Sequence, residues 1–386
     1  MKRPSILVIL CLAGFCTHVG FSVLFPMIGT YAMDSFGASE SQAGIVFGAF
    51  SYPIVITLIA FGILADRIGH RRLMIPGLIL CTLAPLFYPL ADNTSELILV
   101  RVLHGLTFAM FLPAMTAIVV NMAPEGRRGE YIGWFSAATL AGVAVGPAIG
   151  GLIHHNTAFL LCSIASGIAL ITILVGLTSV SPKPVSPKTA TGGSWAWLRT
   201  RTAIAALLIP CTITIGSGTI AAYIPQYIDD INAASSSTAE AGIIITLMYI
   251  SSALLRVPAG ALSDRIGRKT VVLLGILICV VAITMIASFT PLLIIAIASI
   301  LFGIGMGTAM TPGTALLADV SPSEARGLTM GAMNTSLQAG LALGPTLMGF
   351  VKGISSYQSM FIVCALAIAL GTTVIVVLLQ RQDPTD

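Results

Sequence analysis

Gly62-Ile63-Leu64-Ala65-Asp66-Arg67-Ile68-Gly69-His70-Arg71-Arg72 and Gly260-Ala261-Leu262-Ser263-Asp264-Arg265-Ile266-Gly267-Arg268-Lys269 are two copies of one pattern, each closing an apolar run. Their offset is 260 − 62 = 198 residues, close to half of the 386-residue chain. The same offset pairs Gly105 with Gly303, Pro124 with Pro322, Arg128-Gly129 with Arg326-Gly327, Gly133 with Gly331, and Gly146-Pro147 with Gly344-Pro345. Glycine and proline each constrain the backbone in a particular way. Shared ones at one fixed spacing mean that the same backbone is built twice.

The solvent for that backbone is lipid. The chain is 56% hydrophobic and 9% charged, against roughly 25% charged residues in an average globular protein. Its mean hydropathy is +0.98. Apolar stretches long enough for a helix to cross a hydrocarbon core of about 30 Å recur throughout. Twelve are expected, over 6–33, 41–64, 73–91, 95–122, 130–153, 158–179, 202–228, 239–261, 271–289, 292–319, 327–351 and 357–379. The fold class is therefore an all-α integral membrane protein. Membrane strands are excluded, since they need only about ten alternating residues.

Charge fixes the orientation. Lys2, Arg3, Arg67, Arg71, Arg72, Arg127, Arg128, Lys183, Lys188, Arg199, Arg201, Arg265, Arg268, Lys269, Arg326 and Arg381 fall on one side. The other side holds Asp34, Glu40, Asp92, Glu96, Asp229, Asp230 and Glu240, with Lys352 its lone base. The positive-inside rule places both termini in the cytoplasm, in an inner (plasma) membrane. The net charge of +4 follows from this segregation and implies no nucleic-acid partner. The first apolar run has no small-residue cleavage site and reads as a retained helix. The seven cysteines lie within apolar runs without a C-x-x-C, as packing residues rather than disulfide or metal sites. A Pro-, Ser- and Gly-rich stretch over 181–201 reads as a cytoplasmic linker between six-helix bundles at 1–180 and 202–386.

Together these features resemble the major facilitator superfamily, and within it the twelve-span drug:proton antiporter type. The doubled G-x-L-x-D-R-x-G loop carries the resemblance, departing only at His70, where a basic residue is usual. It implies two pseudo-symmetric bundles around a central cavity, alternating access, and no enzymatic activity or cofactor. It also implies that Gly62, Asp66, Arg67, Gly69, Arg71, Gly260, Asp264, Arg265, Gly267 and Arg268 form a cytoplasmic gate. In that gate Asp66 would latch onto the start of the eleventh span and Asp264 onto the fifth, where helix N–H groups are exposed. Gly142, Gly146, Pro147 and Gly150 resemble the family's antiporter signature in the fifth span. The same residues let helices approach closely.

Ionisable residues deep in spans are expensive. Arg101 and His104 resemble the family's R-x-x-Q-G motif, with His104 in place of Gln. With His18 they are expected to share one polar site that binds substrate or couples protons. The alternative for His18 is a core histidine bonded to a backbone carbonyl. Arg256, close to the second loop, is expected to snorkel or to pack on that loop. Tyr223, Gln226, Tyr227 and Thr311 are further cavity candidates. No carboxylate is central, and no G-x-x-x-x-G-K-[ST] loop is present for ATP.

The expected activity is export of small amphipathic molecules by a monomer in the bilayer, with protons as the coupling ion. The alternative is an importer or uniporter of a small anionic or zwitterionic metabolite.

Overall fold

A computed structural model describes residues 3–124, 127–176, 195–231, 237–322 and 326–380, and among these every regular element is helical. The run expected as one span over 6–33 is two helices, α1 (Arg3–Ser22) and α2 (Ile28–Phe36). Pro26 is the cause: it has no N–H and disfavours helix at Phe25. The chain turns there through short-range bonds, Phe25 N–H to the Ser22 carbonyl at 3.0 Å and Met27 N–H to the Leu24 carbonyl at 3.2 Å.

The second run crosses as one segment, Glu40–Ile68, but its hydrogen bonding is interrupted at Ala49 and Phe50, dividing it into α3 (Glu40–Gly48) and α4 (Ser51–Ile68). Pro53 cannot supply the N–H that the Ala49 carbonyl would need in a continuous helix. At its start α3 has a capping box: Ser39 accepts from the Gln42 N–H, and the Gln42 side chain accepts from the Ser39 N–H. Next come α5 (His70–Leu83), which tightens into a 3-10 turn over Ala84–Leu90 holding Pro85 and Pro89, α6 (Thr94–Met122), α7 (Arg128–Leu152) and α8 (His155–Gly176). After a 3-10 turn at Trp195–Arg199 follow α9 (Arg201–Ile231), α10 (Ser237–Ile266), α11 (Arg268–Ser288), α12 (Leu292–Val320), α13 (Arg326–Gly353) and α14 (Tyr357–Gln380). Residues 181–194 of the expected linker lie outside the described residues, and its end is the 3-10 turn rather than loose chain.

Ten of these segments are long and apolar enough to cross a membrane, not the twelve expected from sequence. Only Ile6–Ser22 of α1 counts as an apolar helix, which is too short. Polar Asn334, Thr335, Ser336 and Gln338 dilute α13. Large apolar side chains such as Val257 and Leu254 are bare on the outside, as a lipid solvent requires.

The repeat is visible in the backbone. Gly69 and Gly267, 198 residues apart, join α4 to α5 and α10 to α11 with φ of 100° and 95°, a region that disfavours side chains. Close approaches recur at the same offset. A Cβ at Gly105 would stand 1.9 Å from the Phe50 carbonyl oxygen, and one at Gly303 would stand 2.1 Å from that of Met248.

Candidate functional site

Arg101 is 1% exposed and wholly engaged. The break after α3 leaves two carbonyls without helical partners, and the guanidinium takes both: Nε donates to Val46 at 3.1 Å and Nη2 to Phe47 at 3.0 Å. A cation at a helix C-terminus also meets the negative end of the dipole. The Phe50 ring lies 5.1 Å from the guanidinium carbon. Nη1 lies 3.4 Å from the Tyr88 hydroxyl. Because Arg can only donate, the Tyr88 oxygen accepts, and its proton goes to His104 Nδ1 at 3.0 Å. His104 therefore carries its hydrogen on Nε2, facing Cys81 Sγ at 3.8 Å, which is itself 3.6 Å from Ser166 Oγ.

His18 stands apart from this chain. Its Nδ1 bonds the Gly14 carbonyl of its own helix at 2.8 Å, and its ring meets Phe108 edge-on at 5.2 Å. Phe108 and Phe50 fill the space between His18 and His104. The single polar site expected from sequence is thus two, because an aromatic layer separates α1 from the Arg101 network.

The seventh-span candidates also disperse. The Tyr223 hydroxyl lies 3.0 Å from the carbonyls of both Glu40 and Pro345. Tyr227 donates to the Ile286 carbonyl at 3.3 Å and packs on Tyr357 and Phe361. Gln226 lines a cleft of about 330 Å³ with Asp34, Glu40, Asp229, Asp230 and Lys352. The methyl of Thr311 lies against Gly260.

That cleft marks the end of the molecule opposite the doubled loop, and there the N- and C-terminal parts are clamped together. Glu40 Oε1 accepts from Tyr357 at 2.7 Å and pairs with Lys352 Nζ at 3.6 Å. Ser41 donates to the Gly349 carbonyl at 3.2 Å, Tyr52 to Thr346 at 2.7 Å, and Ser51 to Gln338 at 2.8 Å. Two backbone crossings flank these bonds. A Cβ at Gly44 or at Gly242 would stand 2.3 Å from the carbonyl oxygen of Pro345 or of Pro147 respectively. The pairs are equivalent, since 242 − 44 and 345 − 147 are both 198. Sequence reasoning missed Tyr88 and this clamp, although Lys352, a lone base on an acidic side, was a signal for the latter.

The doubled-loop end is apart. Gly129, Gly133 and Gly331, near the starts of α7 and α13, have no atom within 4 Å of a Cβ position. Asp66 is half exposed and lies 3.7 Å from His70 Nε2, which also approaches Asn121 Nδ2 at 3.4 Å. At the equivalent positions Arg268 pairs with Asp319. Arg67, Asp264 and Arg265 are exposed, and Arg71 is half-buried. Among the described residues no hydrogen bond or ion pair joins Asp66 to α13 or Asp264 to α7. Gly62 and Gly260 face Pro113 and Thr311, holding α4 near α6 and α10 near α12.

The fifth-span glycines pack helices. Cβ atoms at Gly142, Gly146 and Gly150 would collide with the Phe15 carbonyl, the Ser22 hydroxyl and the Val23 carbonyl of α1 and the turn that follows it, while the Pro147 carbonyl meets α10 at Gly242.

The family model described as Major Facilitator Superfamily matches this chain twice, over residues 10–238 and 206–386. An uncharacterized MFS-type transporter of Methanocaldococcus jannaschii is 26% identical over 90% of this chain and 91% of its own. The multi-drug resistance efflux pump PmrA of Streptococcus pneumoniae is 25% identical over 92% of this chain and 91% of its own. Among solved structures, a bacterial homolog to the human lysosomal transporter Spinster, in an inward-facing and occupied conformation, superposes with a TM-score of 0.83 over 100% of both chains at 14% identity.

Proposed function

The chain belongs to the Major Facilitator Superfamily, and on that premise we propose that it exports small amphipathic molecules by alternating access, driven by the proton gradient. Secondary transport, not enzymatic catalysis, is the activity of this fold. The proposed frame is twelve spans in two six-helix bundles with both termini cytoplasmic, working as a monomer. One observation carries the reading: the two parts are clamped at one end by equivalent glycine–proline crossings and stand apart at the other. With the positive-inside orientation this is the inward-facing state. Rocking of the two parts separates the crossings, opens the clamp and brings Asp66 toward the start of α13 and Asp264 toward α7. The G-x-x-x-G-P-x-x-G-G run over 142–151 and the likeness to an efflux pump support export.

His18 and His104 are the imidazoles within the spans proposed to carry the coupling protons. The test is flux in proteoliposomes under an imposed pH gradient, with a lipophilic cation, a zwitterion and a carboxylate dye as probes. Outward flux of at least one probe, rising with the gradient, is expected. Replacing both histidines with Gln is expected to abolish the gradient dependence, and undiminished coupling removes them from the mechanism. Asp66→Asn is expected to slow flux and to enrich the state open at the doubled-loop end. If neither flux nor the population moves, the gate assignment is wrong.

A further inference from the structure

The two arginines within the spans differ in kind. Arg101 is satisfied by two carbonyls, a hydroxyl and a ring. Arg256, in α10, makes no hydrogen bond or ion pair among the described residues, and its Nε is sealed from solvent without an acceptor. The sequence suggested that it snorkels or packs on the second loop, which begins four residues on at Gly260; the residue is half-buried. It lies 261 − 256 = 5 residues inside the cytoplasmic end of the expected apolar run. Arg256 is therefore about 7–8 Å inside the hydrocarbon core, roughly a quarter of its depth of about 30 Å.

Nor does it face lipid. The bare stripe of α10 is Ile243, Ile250, Leu254 and Val257. At 100° per residue, Arg256 falls about 130° from the centre of that stripe. It shares its face with Tyr249, two turns earlier, whose ring lies 6.3 Å from Phe25 of the N-terminal part. Through Tyr249 that face meets the N-terminal part. One turn from Arg256, Ser252 Oγ is also buried without a partner.

We infer that Arg256 is the anion-binding group of the transport site, taking the carboxylate of an amphipathic organic anion whose apolar body lies toward Tyr249 and Phe25. This rests on the transport reading above and names its substrate class. The residue is half-buried, and a guanidinium whose Nε is sealed from water without an acceptor is costly to the empty protein. A carboxylate meets its planar fork with two parallel hydrogen bonds, and Ser252 supplies a further donor. A Lys retains the charge but not the fork.

The experiment uses the full chain in detergent and three probes on one scaffold: 2-naphthoate, 2-naphthamide and 2-naphthylmethylammonium. Calorimetric titration is expected to show the wild type binding the carboxylate at least tenfold more tightly than the amide or the ammonium. Arg256→Gln abolishes that preference and Arg256→Lys keeps part of it. Without ligand, Arg256→Met is expected to melt above the wild type, because an unpaired charge has been removed. The inference is overturned by a wild type that does not prefer the carboxylate, by a preference that survives Arg256→Gln, or by an Arg256→Met protein that melts lower, which would mean a protein partner. Binding is read without flux. A chain that binds naphthoate through Arg256 yet moves nothing refutes transport alone, and one that moves other probes while ignoring naphthoate refutes the site alone.

Discussion

Arg101→Ala is expected to be the most destabilising single substitution in the N-terminal part. The side chain closes the open end of α3, so its loss leaves the Val46 and Phe47 carbonyls without donors in a site that water does not reach. Each buried, unsatisfied carbonyl costs about 1–3 kcal/mol. The Tyr88 hydroxyl also loses the donor that orients it toward His104. Thermal unfolding in detergent measures the loss, which should amount to a few kcal/mol. Arg101→Lys should recover part of it, since an ammonium can reach one carbonyl but cannot span both with a fixed fork. Flux should fall with stability, because α3 carries Glu40, Ser41 and Gly44 of the clamp and is anchored at its far end by Arg101. Wild-type stability in Arg101→Ala would contradict this role.

The second large effect concerns motion rather than stability. Gly44→Val combined with Gly242→Val puts a Cβ where the Pro345 and Pro147 carbonyl oxygens lie, at 2.3 Å in each case. Backbone atoms cannot rotate away, so the helices must separate at the clamped end. Within each part the packing is untouched, and the double variant should fold, favour the state open at the clamp, and lose nearly all flux. Gly150→Val makes the contrast. Its Cβ would meet the Val23 carbonyl within the N-terminal part, so there stability should fall. Wild-type flux in the double variant would mean that the two crossings do not form during the cycle.

Much of the frame was legible in the sequence because lipid imposes strong rules. Apolar length, charge segregation and the 198-residue repeat located the elements to within a few residues, α6 and α12 among them. Proline positions were equally visible, but their consequence was not. Pro26 splits the first expected span. Pro53 only interrupts the hydrogen bonding of the second, which still crosses as the single segment Glu40–Ile68, and that interruption creates the carbonyl site that Arg101 fills. Sequence identified Arg101 as anomalous and could not reveal that a helix end in another span would satisfy it. For His18 the open choice fell to the carbonyl of Gly14, one turn away on its own helix. Arg256 lies one turn from the start of the second motif, as its position in the sequence showed, and the lipid-facing stripe of α10 adds that it lies on the face turned away from that stripe. Glu40 and Lys352 were read as topology signals, since contact between residues more than 300 positions apart leaves no local trace.

Alternating access is the central claim, and reciprocal distance change is its direct signature. In a background with the native cysteines replaced, spin labels at Ser95→Cys and Leu293→Cys report the clamped end, and labels at Ile68→Cys and Ile266→Cys report the doubled-loop end. All four positions are exposed, and each pair is related by the 198-residue offset. Introducing Gly44→Val and Gly242→Val should lengthen the first distance and shorten the second in the same sample. A change at only one end, or at neither, would contradict the account.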